Sequence, residues 1–152
     1  MNKFAQAVKD VEKKSSMLLT SPKHSMSALP KDIPLAGVYL FSEHGHALYV
    51  GRTNSLRKRL QYHTRNNHNQ ATFAFLLARE HTGKTKATYQ KDGSRTDLLT
   101  QPEFRSAFDI ARERIRKMDV QFVEEPDPTR QALLEICAAL QSGARYNDFD
   151  NH

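Results

Sequence analysis

Apolar residues near the N-terminus, Phe4, Val8 and Val11, fall at helical spacing and predict a helix over residues 2–19. Residues 20–34 contain three prolines and several serines and read as a linker. From Leu35 the pattern shortens. Residues 36–41 and 47–51 read as strands, and Glu43-His44-Gly45 fits a three-residue hairpin loop with glycine at the left-handed position. That loop sets Tyr39 directly opposite Tyr49 on one face and leaves Val38, Leu40, Leu48 and Val50 on the other, the core face. Helical spacing returns over residues 55–65, capped by Thr53 or Asn54, with Leu56 and Leu60 toward the core. Arg59 and His63 share a ridge beside that apolar stripe, one turn apart, and Arg57 and Lys58 point outward. Further helices are predicted over residues 70–79, 103–118 and 128–141, the last opened by Asp127 and ended by Gly143. Residues 120–123 read as a strand, 81–100 as a polar loop or insertion, and 144–152 as an irregular tail.

Composition narrows the class. A chain of 152 residues with 38% hydrophobic and 26% charged residues fits a soluble globular protein with one main domain. No apolar run approaches membrane-spanning length. Cys137 is the only cysteine, so there is no disulfide framework, and a cytoplasmic setting is expected. The division expected is an N-terminal helix and linker over 1–34 and a folded domain over 35–152, with a basic insertion near 81–100.

The net charge is +6, unevenly spread, with +4 carried by residues 43–70. The densest stretch holds Arg52, Arg57, Lys58, Arg59 and Arg65, with no acid between Glu43 and Glu80. Such a patch suits a polyanion, because neutralised phosphates release counterions; a solvated helix face explains the charge alone about as well.

The candidate chemistry lies in two tripeptides and in a few residues C-terminal to them. Gly37-Val38-Tyr39 and Tyr49-Val50-Gly51 resemble the signature tripeptides of the GIY-YIG nuclease superfamily, with the tyrosines ten residues apart. Arg59 stands where that family places an arginine on the next helix. His63 matches a histidine that some members, notably homing endonucleases, carry one turn later. Glu135, in Ala-Leu-Leu-Glu-Ile, matches the family's glutamate. Arg145-Tyr146-Asn147 matches a later segment, at a spacing that resembles the N-terminal nuclease domain of the bacterial excision-repair endonuclease. The resemblance covers residues 36–65 and 120–148.

The resemblance implies an α+β fold, a small three-stranded antiparallel sheet flanked by helices, and hydrolysis of phosphodiester bonds in DNA; the sequence does not exclude RNA. It assigns a tyrosine as general base. Tyr39 is favoured, with Tyr49 positioning water or phosphate. Glu135 becomes the one protein carboxylate on Mg²⁺ or Mn²⁺, a hard cation whose other positions water and phosphate oxygens fill. Arg59 grips the scissile phosphate with its planar fork. His63 assists phosphate binding or proton transfer, and Asn147 orients its neighbours. Gly51, Arg52, Arg57, Lys58 and Arg65 are the expected nucleic-acid contacts.

Each residue also has a plainer reading. Tyrosine is common in strands. Gln131, Glu135 and Ser142 align on one helix side that could be solvated, and His63 could be a packed, neutral histidine. His44 and His46 hint at zinc, but one cysteine and no paired ligand spacing argue against a structural site. The rival function is a catalytically weak nucleic-acid-binding module on the same fold, or a subunit that cuts only with a protein partner; a double-strand break would require a homodimer or sequential nicking. No membrane contact is expected.

Overall fold

The computed structural model describes residues 1–67, 70–84 and 95–149. In chain order the elements are α1 (Lys3–Thr20), β1 (His24–Ser25), a 3₁₀ turn (Met26–Ala28), β2 (Gly37–Glu43), β3 (His46–Thr53), α2 (Leu56–Tyr62), α3 (Thr72–Thr82), α4 (Arg95–Thr100), α5 (Pro102–Arg116), β4 (Asp119–Glu124) and α6 (Pro128–Ser142). The chain forms two compact units, residues 1–58 with 118–152, and residues 59–117.

The first unit is an antiparallel sheet of four strands, ordered β1-β4-β2-β3, with helices packed against it. The three expected strands are present, and β1 is the addition. It arises in the stretch read as linker, where His24 and Ser25 pair with Val120 and Asp119. The His24 ring stacks on Phe122 at 5.5 Å, so a two-residue strand is held by a side-chain contact as well as by its ladder. Val38, Leu40, Val50 and Val123 form one sheet face and pack with Val11 and Leu18 of α1 and Leu134, Ala138 and Ala139 of α6. The N-terminal helix is therefore part of this core. Its caps show why it starts and stops where it does. Asn2 accepts from Ala5 N at 2.7 Å. At its far end, Gln121 Nε2 donates to the carbonyls of Leu18 and Leu19 at 3.3 Å and of Ser21 at 2.9 Å.

The hairpin register differs from the expected one. Tyr39 pairs with Gly51 and Phe41 with Tyr49. The connection is the two-residue turn His44-Gly45, both at positive φ, 53° and 80°, the geometry that matches the twist of paired strands. One extra residue, Leu48, then separates the pairs Phe41–Tyr49 and Ser42–Ala47, a bulge in β3. Tyr39 and Tyr49 still share a face, one ladder step apart instead of opposite.

Asp127 caps α6 by accepting from Arg130 N at 2.8 Å, Pro128 occupies its first turn, and Gly143 ends it at φ 69°. α2 is shorter than expected, and His63 lies just past its last residue.

In the second unit, α3 packs on α5 and α4 on α5. Its core is aromatic: Phe75 lies 5.0 Å from Phe104 and 6.2 Å from Phe108, centroid to centroid. The insertion expected at 81–100 is helical at both ends, with α3 running to Thr82 and α4 starting at Arg95. Residues 85–94 of that expectation, including Lys86 and Lys91, lie outside the described residues.

Candidate active site

Four consecutive residues of β3, Tyr49 to Arg52, gather most of the first unit's candidate side chains. Gly51 comes first, because sterics decide it. A Cβ there would sit 2.2 Å from Tyr39 Oη and 2.3 Å from its Cζ. The Tyr39 ring therefore lies directly over the Gly51 backbone, and no other residue type fits. Gly37 is required for a different reason: a Cβ would lie 2.0 Å from Val123 O on the neighbouring strand. The glycine of each tripeptide is thus a packing necessity.

Tyr39 is 1% exposed, with its ring edge-on to Phe41 at 5.8 Å and tilted against Tyr49 at 6.5 Å. Tyr49 is partly exposed. Between Tyr49 and Gly51, Val50 is clamped by Asn147. Its N–H donates to Asn147 Oδ1 at 2.8 Å, and Asn147 Nδ2 donates to Val50 O at 2.7 Å. Tyr146 N donates to Leu48 O at 2.9 Å and Arg145 N to Ala47 O at 3.4 Å, so the tail lies along β3.

Arg52, next along the strand, reaches Glu135 of α6, Nε to Oε2 at 3.7 Å. Burial raises the Glu135 pKa above the ordinary carboxylate value, and Arg52 opposes that shift. The solvated-side reading of Glu135 does not fit its neighbours. Gln131, one turn earlier, is 2% exposed and donates to Glu125 O at 2.7 Å. By strand alternation Arg52 projects from the face covered by α6, and the tyrosines from the other. Both groups lie along one stretch of β3, but on opposite faces, and the structure shows no contact between the tyrosines and Glu135 among the described residues.

The basic residues separate on inspection. Lys58 is exposed. Arg57 donates to Pro30 O at 2.7 Å and Lys31 O at 2.9 Å, which ties down the segment before β2. In the second unit, Arg59 donates to Gln70 O at 3.1 Å and Thr72 Oγ1 at 3.4 Å, and Arg65 stacks over Tyr62 at 4.6 Å. His63 is fully buried. Burial first, and the Arg59 charge second, lower its pKa from 6.5 to about 3. It is neutral at physiological pH. His44 and His46 are exposed at the hairpin turn.

Residues 35–92 match the family model of the UvrC-like GIY-YIG domain. Over that stretch the chain is similar to the GIY-YIG superfamily. The match spans both tripeptides, α2, Arg59 and His63, and it ends before Glu135 and Asn147. No curated protein and no solved structure matches the chain. The GIY-YIG domain is a nuclease-type fold, and nucleic acid is the substrate class it implies. Among the described residues, no helix is long and apolar enough to cross a membrane.

Sequence reasoning named Arg52 but not its pairing with Glu135. Arg52 was expected to face nucleic acid, and its approach to Glu135 results from the placement of α6, which no local pattern specifies. Among the described residues, no three His, Cys, Asp or Glu side chains gather as metal ligands. A single half-buried carboxylate with one loose cationic neighbour suits a hard divalent ion that keeps most of its water.

Proposed function

We propose that the protein is a metal-dependent endonuclease that hydrolyses phosphodiester bonds in DNA. The observation that supports it best is the organisation of β3 from Tyr49 to Arg52: Tyr39 seated on Gly51, Asn147 fixing Val50, and Glu135 drawn to Arg52. The family match supplies the nuclease-type fold on which this reading rests.

In this proposal a tyrosine of the Tyr39–Tyr49 pair accepts the proton of the attacking water. Sequence favours Tyr39, and exposure favours Tyr49 as the ring that meets water or phosphate. Phenylalanine at each position separates the roles. Glu135 holds Mg²⁺ or Mn²⁺, which supplies positive charge opposite the charge developing on the phosphate. Arg52, released from Glu135, is then free to pair with a backbone phosphate. The resemblance assigns Arg59 to the scissile phosphate, where a guanidinium fork binds two oxygens at once. A neutral His63 serves as a packing and positioning group. The working form in this reading is a cytoplasmic protein that nicks one strand at a time, alone or as a homodimer.

The test is nicking of supercoiled plasmid with Mg²⁺, Mn²⁺ or EDTA, comparing the wild type with Glu135→Ala. Metal-dependent nicking that falls at least about 100-fold in the variant is expected. A folded wild type that binds DNA but never nicks it would move the assignment to a binding module or a partner-dependent subunit.

A further inference from the structure

The excess positive charge of the chain resides in the second unit. Residues 59–117 hold twelve Lys and Arg against six Asp and Glu, whereas the first unit holds eleven of each. Two phenylalanines of this unit are flanked by arginines, in contrasting ways. Arg105 and Arg112 approach the Phe108 ring at 5.7 and 5.5 Å, and both are neutralised by Asp109, at 3.4 and 2.9 Å. Arg79 and Arg95 approach the Phe75 ring at 4.6 and 5.2 Å. Among the described residues, neither has a carboxylate within salt-bridge distance.

Arg79 is 8% exposed, and its Nε and Nη2 are buried with no hydrogen-bond acceptor among the described residues. These two nitrogens form one edge of the guanidinium. Their N–H bonds point the same way, the pair that grips two oxygens of one phosphate. Aromatic stacking fixes the plane of the group and leaves that edge as its donor face. A buried cation without an acceptor, beside a second cation, is unfavourable unless an anion completes it. Burial, with the neighbouring Arg95 charge, accordingly pulls the Arg79 pKa below its ordinary value. Arg95 is only half-buried and is the outer member of the pair.

We propose that Arg79 and Arg95, held on Phe75, form a phosphate-binding site that takes a backbone phosphate of the nucleic acid, with Arg95 as the entry contact and the Nε–Nη2 edge of Arg79 as the bidentate donor. Naming nucleic acid as the source of the phosphate rests on the proposed function; the anion site itself rests on the unpaired guanidinium edge.

The experiment is fluorescence anisotropy of labelled DNA with the full chain in EDTA, so that cleavage does not intervene, over a series of salt concentrations. Arg79→Lys, which keeps the charge and loses the fork, and Arg95→Gln are compared with wild type, and circular dichroism confirms folding. Both variants are expected to weaken binding evenly across sequences. Arg95→Gln should also reduce the slope of log affinity against log salt by about 1. If Arg79→Lys fails to fold, the half-exposed Arg95 decides. Folded variants with wild-type affinity and slope would overturn the site. Inorganic phosphate that raises the Tm of wild type but not of Arg79→Lys, with DNA binding unchanged in both variants, would overturn the nucleic-acid assignment. A wild type that does not nick with Mg²⁺ or Mn²⁺ but shows the Arg95-dependent slope would refute the endonuclease and leave this site standing.

Discussion

At Gly51 a single hydrogen decides whether the first-unit site exists. Gly51→Ala would place a methyl group inside the Tyr39 ring, which is itself buried against Phe41 and Tyr49. The strand or the ring must shift. A loss of about 1–3 kcal/mol in urea unfolding is expected, together with loss of nicking in whatever fraction stays folded. His63 gives a second prediction. Its folded pKa of about 3 lies below the unfolded value of 6.5, so below pH 6.5 the unfolded chain takes up a proton that the folded chain refuses. Stability from this group is full above pH 6.5 and falls as pH drops toward 3. At pH 5 the loss is about 2 kcal/mol. Urea unfolding of wild type and His63→Gln at pH 7 and pH 5 measures it, and equal losses in both proteins would contradict the assignment. The identity of these residues was legible in the tripeptides and their spacing. Their pairing was not, because the Leu48 bulge shifts the register by an amount that no alternation of apolar and polar residues encodes.

The elements themselves divide by how much of their stability is local. α5 and α6 were legible because apolar periodicity, the Asp127-Pro128 start and the Gly143 stop are written in neighbouring residues. β1 was not, since two residues carry no period, and its support comes from β4 and Phe122, far along the chain. α4 was hidden by its length of six residues within a polar stretch. α1 was visible as a helix, but its membership in the core was obscured by the prolines beyond its C-terminus. Gln121 is the residue that ties it in: 3% exposed on β4, it donates to three backbone carbonyls at the end of α1. Gln121→Leu would leave those acceptors without a partner at nearly constant volume. A cost of about 1–3 kcal/mol is expected, read as a lower Tm. A Tm equal to wild type would mean that water replaces the amide without loss.

For the molecule as a whole, charge and chemistry are unevenly divided. The unit holding both tyrosines and Glu135 is balanced in charge, and residues 59–117 carry the entire excess. The sequence concentrated attention on residues 43–70, where the basic run is densest. Nothing in it signalled that the arginines of α3 and α4 share a phenylalanine, because Arg79 and Arg95 are brought together only by tertiary packing.

β3 ends the sheet, and an edge strand is a template on which a second chain can pair. Residues 145–147 occupy that edge at Ala47, Leu48 and Val50, so the short tail acts as a guard against self-association as well as a brace for the motif. A chain ending at Ala144 should form concentration-dependent oligomers in light scattering under conditions where the full chain stays monodisperse, whereas Asn147→Ala, which keeps the backbone of the guard, should do so more weakly. A truncated chain that remains monodisperse would mean that the bulge at Leu48 already twists the edge out of register for pairing.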